Sequence, residues 1–239
     1  MPHFRSSAMT DAGPKRDHNE DTYVERPDIG LWAVADGAGG HESGELAAAM
    51  LRDALQTMPP GLQEPELIAE AVARIQSVHR ALREEAARRS PYSLVAATLV
   101  VLIGSDDHYV CLWAGDARAY LLRDGKLQQL TRDHSLVQEL IDAGVISRDQ
   151  AATHPRANII TRAVGSDEQD VALDRTEGIL RKGDLFLLCC DGVFKTLPDD
   201  TLNQLLATER RGSLADAVIR AAVAANASDN VTAVTIDVT

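Results

Sequence analysis

Four apolar runs in this chain of 239 residues meet an aspartate at one end. Leu31-Trp32-Ala33-Val34-Ala35 leads into Asp36-Gly37, Val110-Cys111-Leu112-Trp113-Ala114-Gly115 into Asp116, and the run over 185–190 into Asp191-Gly192. Asp229-Asn230 opens the last run, which begins at Val231. Any one of these is an ordinary turn aspartate, because Asp caps turns and Gly permits positive φ. Together they constrain the fold. Central strands of packed sheets bring their ends to one place, and carboxylates gathered there repel one another unless a cation neutralises them.

Hydrophobic periodicity predicts the elements that would do the gathering. Strands are expected over 21–25 and 31–35 as a hairpin, then over 94–103, 108–114, 117–122, 127–130, 171–173, 184–190 and 231–238. Asp124-Gly125 supplies the tight turn between two of them. Helices are expected over 42–56, 67–88, 136–143, 198–207 and 214–225. Strands follow strands directly, which predicts antiparallel sheets with helices packed outside rather than a parallel βαβ sheet. With aromatics at only 4%, the core must be built from Leu, Val, Ile and Ala. The break at 58–65 is short enough to be a loop between helices, so residues 1–239 are expected to form one domain.

Charge and cysteines narrow the functional classes. A formal net charge of -12 repels nucleic acid and anionic membranes, so neither is an expected partner. No stretch is apolar enough to span a bilayer, and the N-terminus lacks the apolar core of a signal peptide. Cys111, Cys189 and Cys190 are odd in number and two are adjacent, which argues against a disulfide framework and for a reducing, cytoplasmic setting.

Oxygen-only clusters suit hard divalent cations, Mn²⁺ or Mg²⁺. Zinc is disfavoured because no His or Cys set has its spacing. Two such cations lower the pKa of a bridging water and stabilise charge on phosphoryl oxygens, which makes a hydrolytic site. A phosphate also needs a planar guanidinium, and Arg16 stands just before the first expected strand.

At this point the residues resemble the metal-dependent PPM/PP2C protein phosphatases, in particular their bacterial branch. Arg16-Asp17-His18-Asn19-Glu20-Asp21 resembles the family's Arg-x-x-Asn-Glu/Gln-Asp motif. Asp36-Gly37-Ala38-Gly39-Gly40-His41 resembles Asp-Gly-x-Gly-Gly-His, and Gly115-Asp116-Ala117-Arg118 resembles Gly-Asp-Ser-Arg. Cys190-Asp191-Gly192 and Ser228-Asp229-Asn230 complete the series in order, across nearly the whole chain. The resemblance implies an α+β fold, an αββα sandwich of two antiparallel sheets flanked by helices, with 131–165 as a flap. It implies that Asp36 bridges two metals with a ligand from the Gly37 carbonyl, and that Asp191 and Asp229 complete the first site. Asp116 with Asp191 would hold a third ion. Glu20 and Asp21 would hold metal-bound waters, and Arg16 would grip the phosphate. His41 is a candidate general acid, with a helix-capping role as its alternative. The implied activity is hydrolysis of phosphoserine and phosphothreonine by a metal-bridging water or hydroxide, opposite a Ser/Thr kinase.

The implied partners are phosphorylated proteins, a cognate Ser/Thr kinase and forkhead-associated proteins, with a secretion-system regulator as one setting and a monomer as the default. Three departures from the family pattern stand at Ala38, Ala117 and Ala96-Ala97-Thr98, none of them a metal ligand. A metalloprotease is excluded because Glu45 stands where its helix motif needs histidine. A dinucleotide site is excluded because Glu42 replaces the third glycine. A catalytically dead binding module on the same fold would be expected to have lost these aspartates. His18, His134 and His154 read as surface or flap residues.

Overall fold

The computed structural model describes residues 3–90, 92–166, 168–208 and 213–239, apart from the side chains of His41 and Ala152. Along the chain run β1 (Phe4–Asp11), β2 (Asp21–Arg26), β3 (Leu31–Ala38), α1 (His41–Gln56), α2 (Glu64–Arg89), β4 (Ala96–Ser105), β5 (His108–Ala114), β6 (Arg118–Arg123) and β7 (Lys126–Gln129). The second half holds α3 (Leu136–Asp142), α4 (Arg148–Ala152), β8 (Asp174–Ile179), β9 (Leu185–Cys189), α5 (Asp191–Phe194), α6 (Asp199–Thr208), α7 (Leu214–Ala224) and β10 (Val231–Val238).

The strands form two antiparallel five-stranded sheets, ordered β1-β10-β9-β6-β7 and β2-β3-β4-β5-β8. The alternation of side chains along each strand divides the apolar residues into two cores. Trp32, Val34, Val100, Leu102, Cys111 and Trp113 point toward the other sheet, where Tyr109 meets Phe186 edge-on with ring centroids 5.0 Å apart. Leu31, Ala33, Ala35, Leu99, Val101 and Ile103 point the other way, against α1 and α2. On the far side, α6 and α7 cover the first sheet. This is the expected α+β sandwich. Because β3, β4 and β9 are buried on both faces, they read as continuous apolar runs.

Four local expectations are corrected. A strand precedes the Arg16 segment: β1 pairs with all eight residues of β10. It went unseen because it is a polar edge strand (Phe-Arg-Ser-Ser-Ala-Met-Thr-Asp), held partly by hydroxyl pairs, Ser7 with Thr235 at 2.8 Å and Thr10 with Thr232 at 2.7 Å. The strand expected over 171–173 instead lies at Asp174–Ile179, another edge strand whose alternation is polar, while Val171 and Leu173 pack against the α1/α2 core. Asp191-Gly192 is not a simple turn but opens the helical turn α5. Helix α1 begins at His41 with Gly40 as its N-cap at φ 86°, so His41 is its first residue rather than its cap.

Candidate metal centre

Asp36 lies near the end of β3 on the face that looks between the sheets, in register with Asp21 of β2 and Thr98 of β4. Beyond it the strand needs glycine. A Cβ on Gly37 would lie 2.4 Å from the Gly44 backbone of α1, so only glycine lets the helix sit against the strand end. The Gly37 N–H donates to the Glu20 carbonyl at 3.2 Å, which ties the N-terminal segment to the same spot.

The opposite sheet contributes at the same end. Cys190 follows β9, and Cys190, Asp21 and Asp36 each bring a donor atom within 4.8 Å of the others. The Thr232 hydroxyl of β10 donates to Asp21 Oδ2 at 2.7 Å. Asp191, on the first turn of α5, accepts from Lys195 Nζ at 2.6 Å. Asp229, just before β10, accepts from Arg16 Nη2 at 2.7 Å, and Arg16 is half exposed (49%). Asp116 follows Gly115, whose φ of 110° and close approach to Thr98 (2.4 Å from a Cβ) again demand glycine. Asp116 is 3% exposed, and its buried Oδ1 has no hydrogen-bond partner among the described residues.

The carboxylates feel one another. Burial pushes Asp36 well above the usual carboxylate range, and Asp21, Asp191, Asp116 and Asp229 push it further. Burial raises Asp21 to about 7; hydrogen bonds from Thr232 and Cys190 oppose the rise, and Asp191 and Asp229 add to it. Burial followed by the Asp191 charge raises Asp116 to about 7, with Lys195 opposing. Mutual repulsion at this strength is what a bound cation removes. The carboxylate oxygens of Asp36, Asp191 and Asp229 are the donor type that a hard divalent ion takes. Cys190 does not join that set as a thiolate: burial, then Asp21 and Asp36, hold its thiol far above its ordinary value. Its one S–H has two acceptors within reach, the Asn230 carbonyl at 3.4 Å and the Asp21 carboxylate, and its sulfur accepts from Thr232 N–H at 3.1 Å. All three cysteines are free and buried.

The fold therefore brings Asp21, Asp36, Asp116, Asp191 and Asp229 to one end of the sandwich, with Arg16 at its rim and Glu20 beside Gly44. The His41 side chain lies outside the described residues. Several contributors were not foreseen. The Asn230 side chain accepts from Glu20 N–H at 2.9 Å and donates to the carbonyls of Ala12 and His18, both at 2.8 Å. His134, expected as a surface or flap residue, lies in the 131–165 segment and is buried: its Nδ1 accepts from Gly115 N–H at 3.0 Å and its backbone N–H donates to Gly115 O at 2.9 Å, clasping the residue before Asp116. Lys195 sits four residues after Asp191, a spacing that becomes informative only once this stretch is known to be helical.

With this geometry in view, the likenesses to known proteins are consistent. The family model described as Protein phosphatase 2C matches residues 11–228. The chain is 32% identical over 235 residues to the serine/threonine protein phosphatase PstP of Mycobacterium tuberculosis, covering 98% of this chain but only 45% of that relative. The chain thus spans about half the length of that relative. It is 34% identical over 236 residues to the serine/threonine phosphatase Stp of Listeria monocytogenes, covering 95% and 93% of the two chains. A solved structure of PppA, a key regulatory component of T6SS in Pseudomonas aeruginosa, superposes with a TM-score of 0.91 at 34% identity, over 99% and 98% of the chains. The PstP catalytic domain, solved with two manganese ions, superposes with a TM-score of 0.86 at 32% identity over 100% of both chains. On these matches and on a shared fold, the chain belongs to the protein phosphatase 2C family.

Proposed function

We propose that this chain is a metal-dependent protein phosphatase that hydrolyses phosphoserine and phosphothreonine. The observation that carries this reading is the gathering of Asp21, Asp36, Asp116, Asp191 and Asp229 at one end of the sandwich, where their charges act on one another and Lys195 and Arg16 reach in from the rim. Asp36, the Gly37 carbonyl, Asp191 and Asp229 would hold two Mn²⁺ or Mg²⁺ ions, supported by the two manganese ions of the related PstP domain. When bound, such ions lower the pKa of a water and offset charge on phosphoryl oxygens.

The chain's own residues have separate tasks. Arg16, exposed at the rim and carrying a planar fork of donors, would leave Asp229 to bind two phosphate oxygens. Glu20 and Asp21 would orient waters around the ions. Thr232 and Cys190 hold the Asp21 carboxylate by hydrogen bonds. Asn230 positions the loop that bears Arg16 and Glu20. Residues 131–165 would act as a flap within one domain, and His41 at the start of α1 is the candidate acid for the leaving oxygen. The physiological reading is action opposite a Ser/Thr kinase, on phosphoproteins that include forkhead-associated targets. The likeness to PppA supports a setting in secretion-system regulation.

The test is turnover of a phosphothreonine peptide across a Mn²⁺ titration, with and without chelator. Asp36→Asn should abolish Mn²⁺-dependent turnover in a folded protein. Arg16→Ala should lower kcat/KM by about a hundredfold. A folded wild-type chain inert to phosphopeptides at every Mn²⁺ concentration would end this reading.

A further inference from the structure

Lys195 is the one ammonium that reaches into the acidic cluster among the described residues. Its Nζ donates to Asp191 Oδ2 at 2.6 Å and to Asn158 Oδ1 at 2.9 Å, and it lies 3.9 Å from Asp116 Oδ2. These are the two carboxylates that the family resemblance assigns to a third divalent ion. The placement is built into the backbone. Lys195 closes the turn that Asp191 opens, its N–H donating to the Asp191 carbonyl at 2.9 Å, so the two side chains share one face. Its side chain is two-thirds buried. Asn158 approaches from the 131–165 segment and holds the ammonium from the other side.

We propose that the Lys195 ammonium stands in for a third divalent ion, so that this chain binds two metal ions where the resemblance implies three. This inference rests on the two-ion reading of the cluster given above. An ammonium offers three donors and one positive charge, and it offsets one of the two negative charges of Asp191 and Asp116 without being released into solvent. A divalent ion between the same carboxylates would sit within a few ångströms of a tethered cation, in a partly buried place where solvent screens the repulsion poorly. Lys195 is thus a positioning residue. It fixes the outer oxygen of Asp191 and ties the 131–165 segment to the centre through Asn158.

The experiment counts bound Mn²⁺ by the electron paramagnetic resonance signal of the free ion, in titrations of the wild-type chain, Lys195→Arg, Lys195→Ala and Lys195→Asp, each first checked for folding by circular dichroism. Wild type and Lys195→Arg should each saturate at two ions. Lys195→Asp should take up three, and Lys195→Ala reports on the freed place should the acidic variant not fold. A wild-type chain that saturates at three overturns the proposal, as does saturation at two by every folded variant that lacks the cation. Fewer than two ions on the wild type strikes the two-ion reading itself, and the proposal falls with it.

Discussion

Asn230 does more for the site than its uncharged side chain suggests. One amide, 5% exposed, satisfies the N–H of Glu20 and the carbonyls of Ala12 and His18, and so anchors the loop that carries Arg16. Asn230→Ala leaves those groups without their partner, and it should cost about 2–4 kcal/mol in denaturant unfolding. It should also raise KM for a phosphopeptide, because the loop bearing Arg16 loses its tether. Unchanged KM together with unchanged stability would show that the loop is held elsewhere. At this scale the sequence was half legible. The aspartates announced themselves by their recurrence at run ends, whereas Asn230, His134 and Lys195 act through partners 4 to 218 residues away and carry no local signature.

Among the elements, the contact between β3 and α1 decides whether Asp36 faces its neighbours. Gly37 and Gly44 meet backbone to backbone, and a Cβ at Gly44 would also lie 2.1 Å from Glu20 Oε2. Gly37→Ala should therefore force the strand end and helix apart, at a cost of about 1–3 kcal/mol. It should also weaken Mn²⁺ binding, which calorimetric titration would read. Full affinity in that variant would mean that the Gly37 backbone is not held in a required position. Element types came readily from periodicity where strands are buried on both faces, as in β4 and β9. They were missed or displaced in β1 and β8, because an edge strand need not be apolar and its pairing partner is remote in sequence.

For the molecule as a whole, gathering carboxylates has a thermodynamic consequence. Asp21 and Asp116, ordinarily near 3.8, are raised to about 7 in the folded chain. The folded state therefore holds protons that the unfolded state has released, and metal-free stability falls as pH climbs from about 4 through about 7. The buried His134, held below its ordinary 6.5, pulls the opposite way only at lower pH. Between about pH 8 and 6.5 the chelated protein should gain on the order of 1 kcal/mol, read as a rise in Tm, and saturating Mn²⁺ should remove that dependence. A flat Tm in chelator over this range would contradict the coupling. The sequence by itself determined the strand-rich sandwich, the order of its motifs and the identity of the acidic residues, because periodicity and turn chemistry are local. Tertiary structure alone decided that Asp21 and Asp36 face Cys190 across the two sheets, that His134 is buried behind Asp116, and that the Lys195 ammonium lies between Asp191 and Asp116. Those facts depend on which strand ends meet in space, and pairing between distant segments leaves no trace in the spacing of either one.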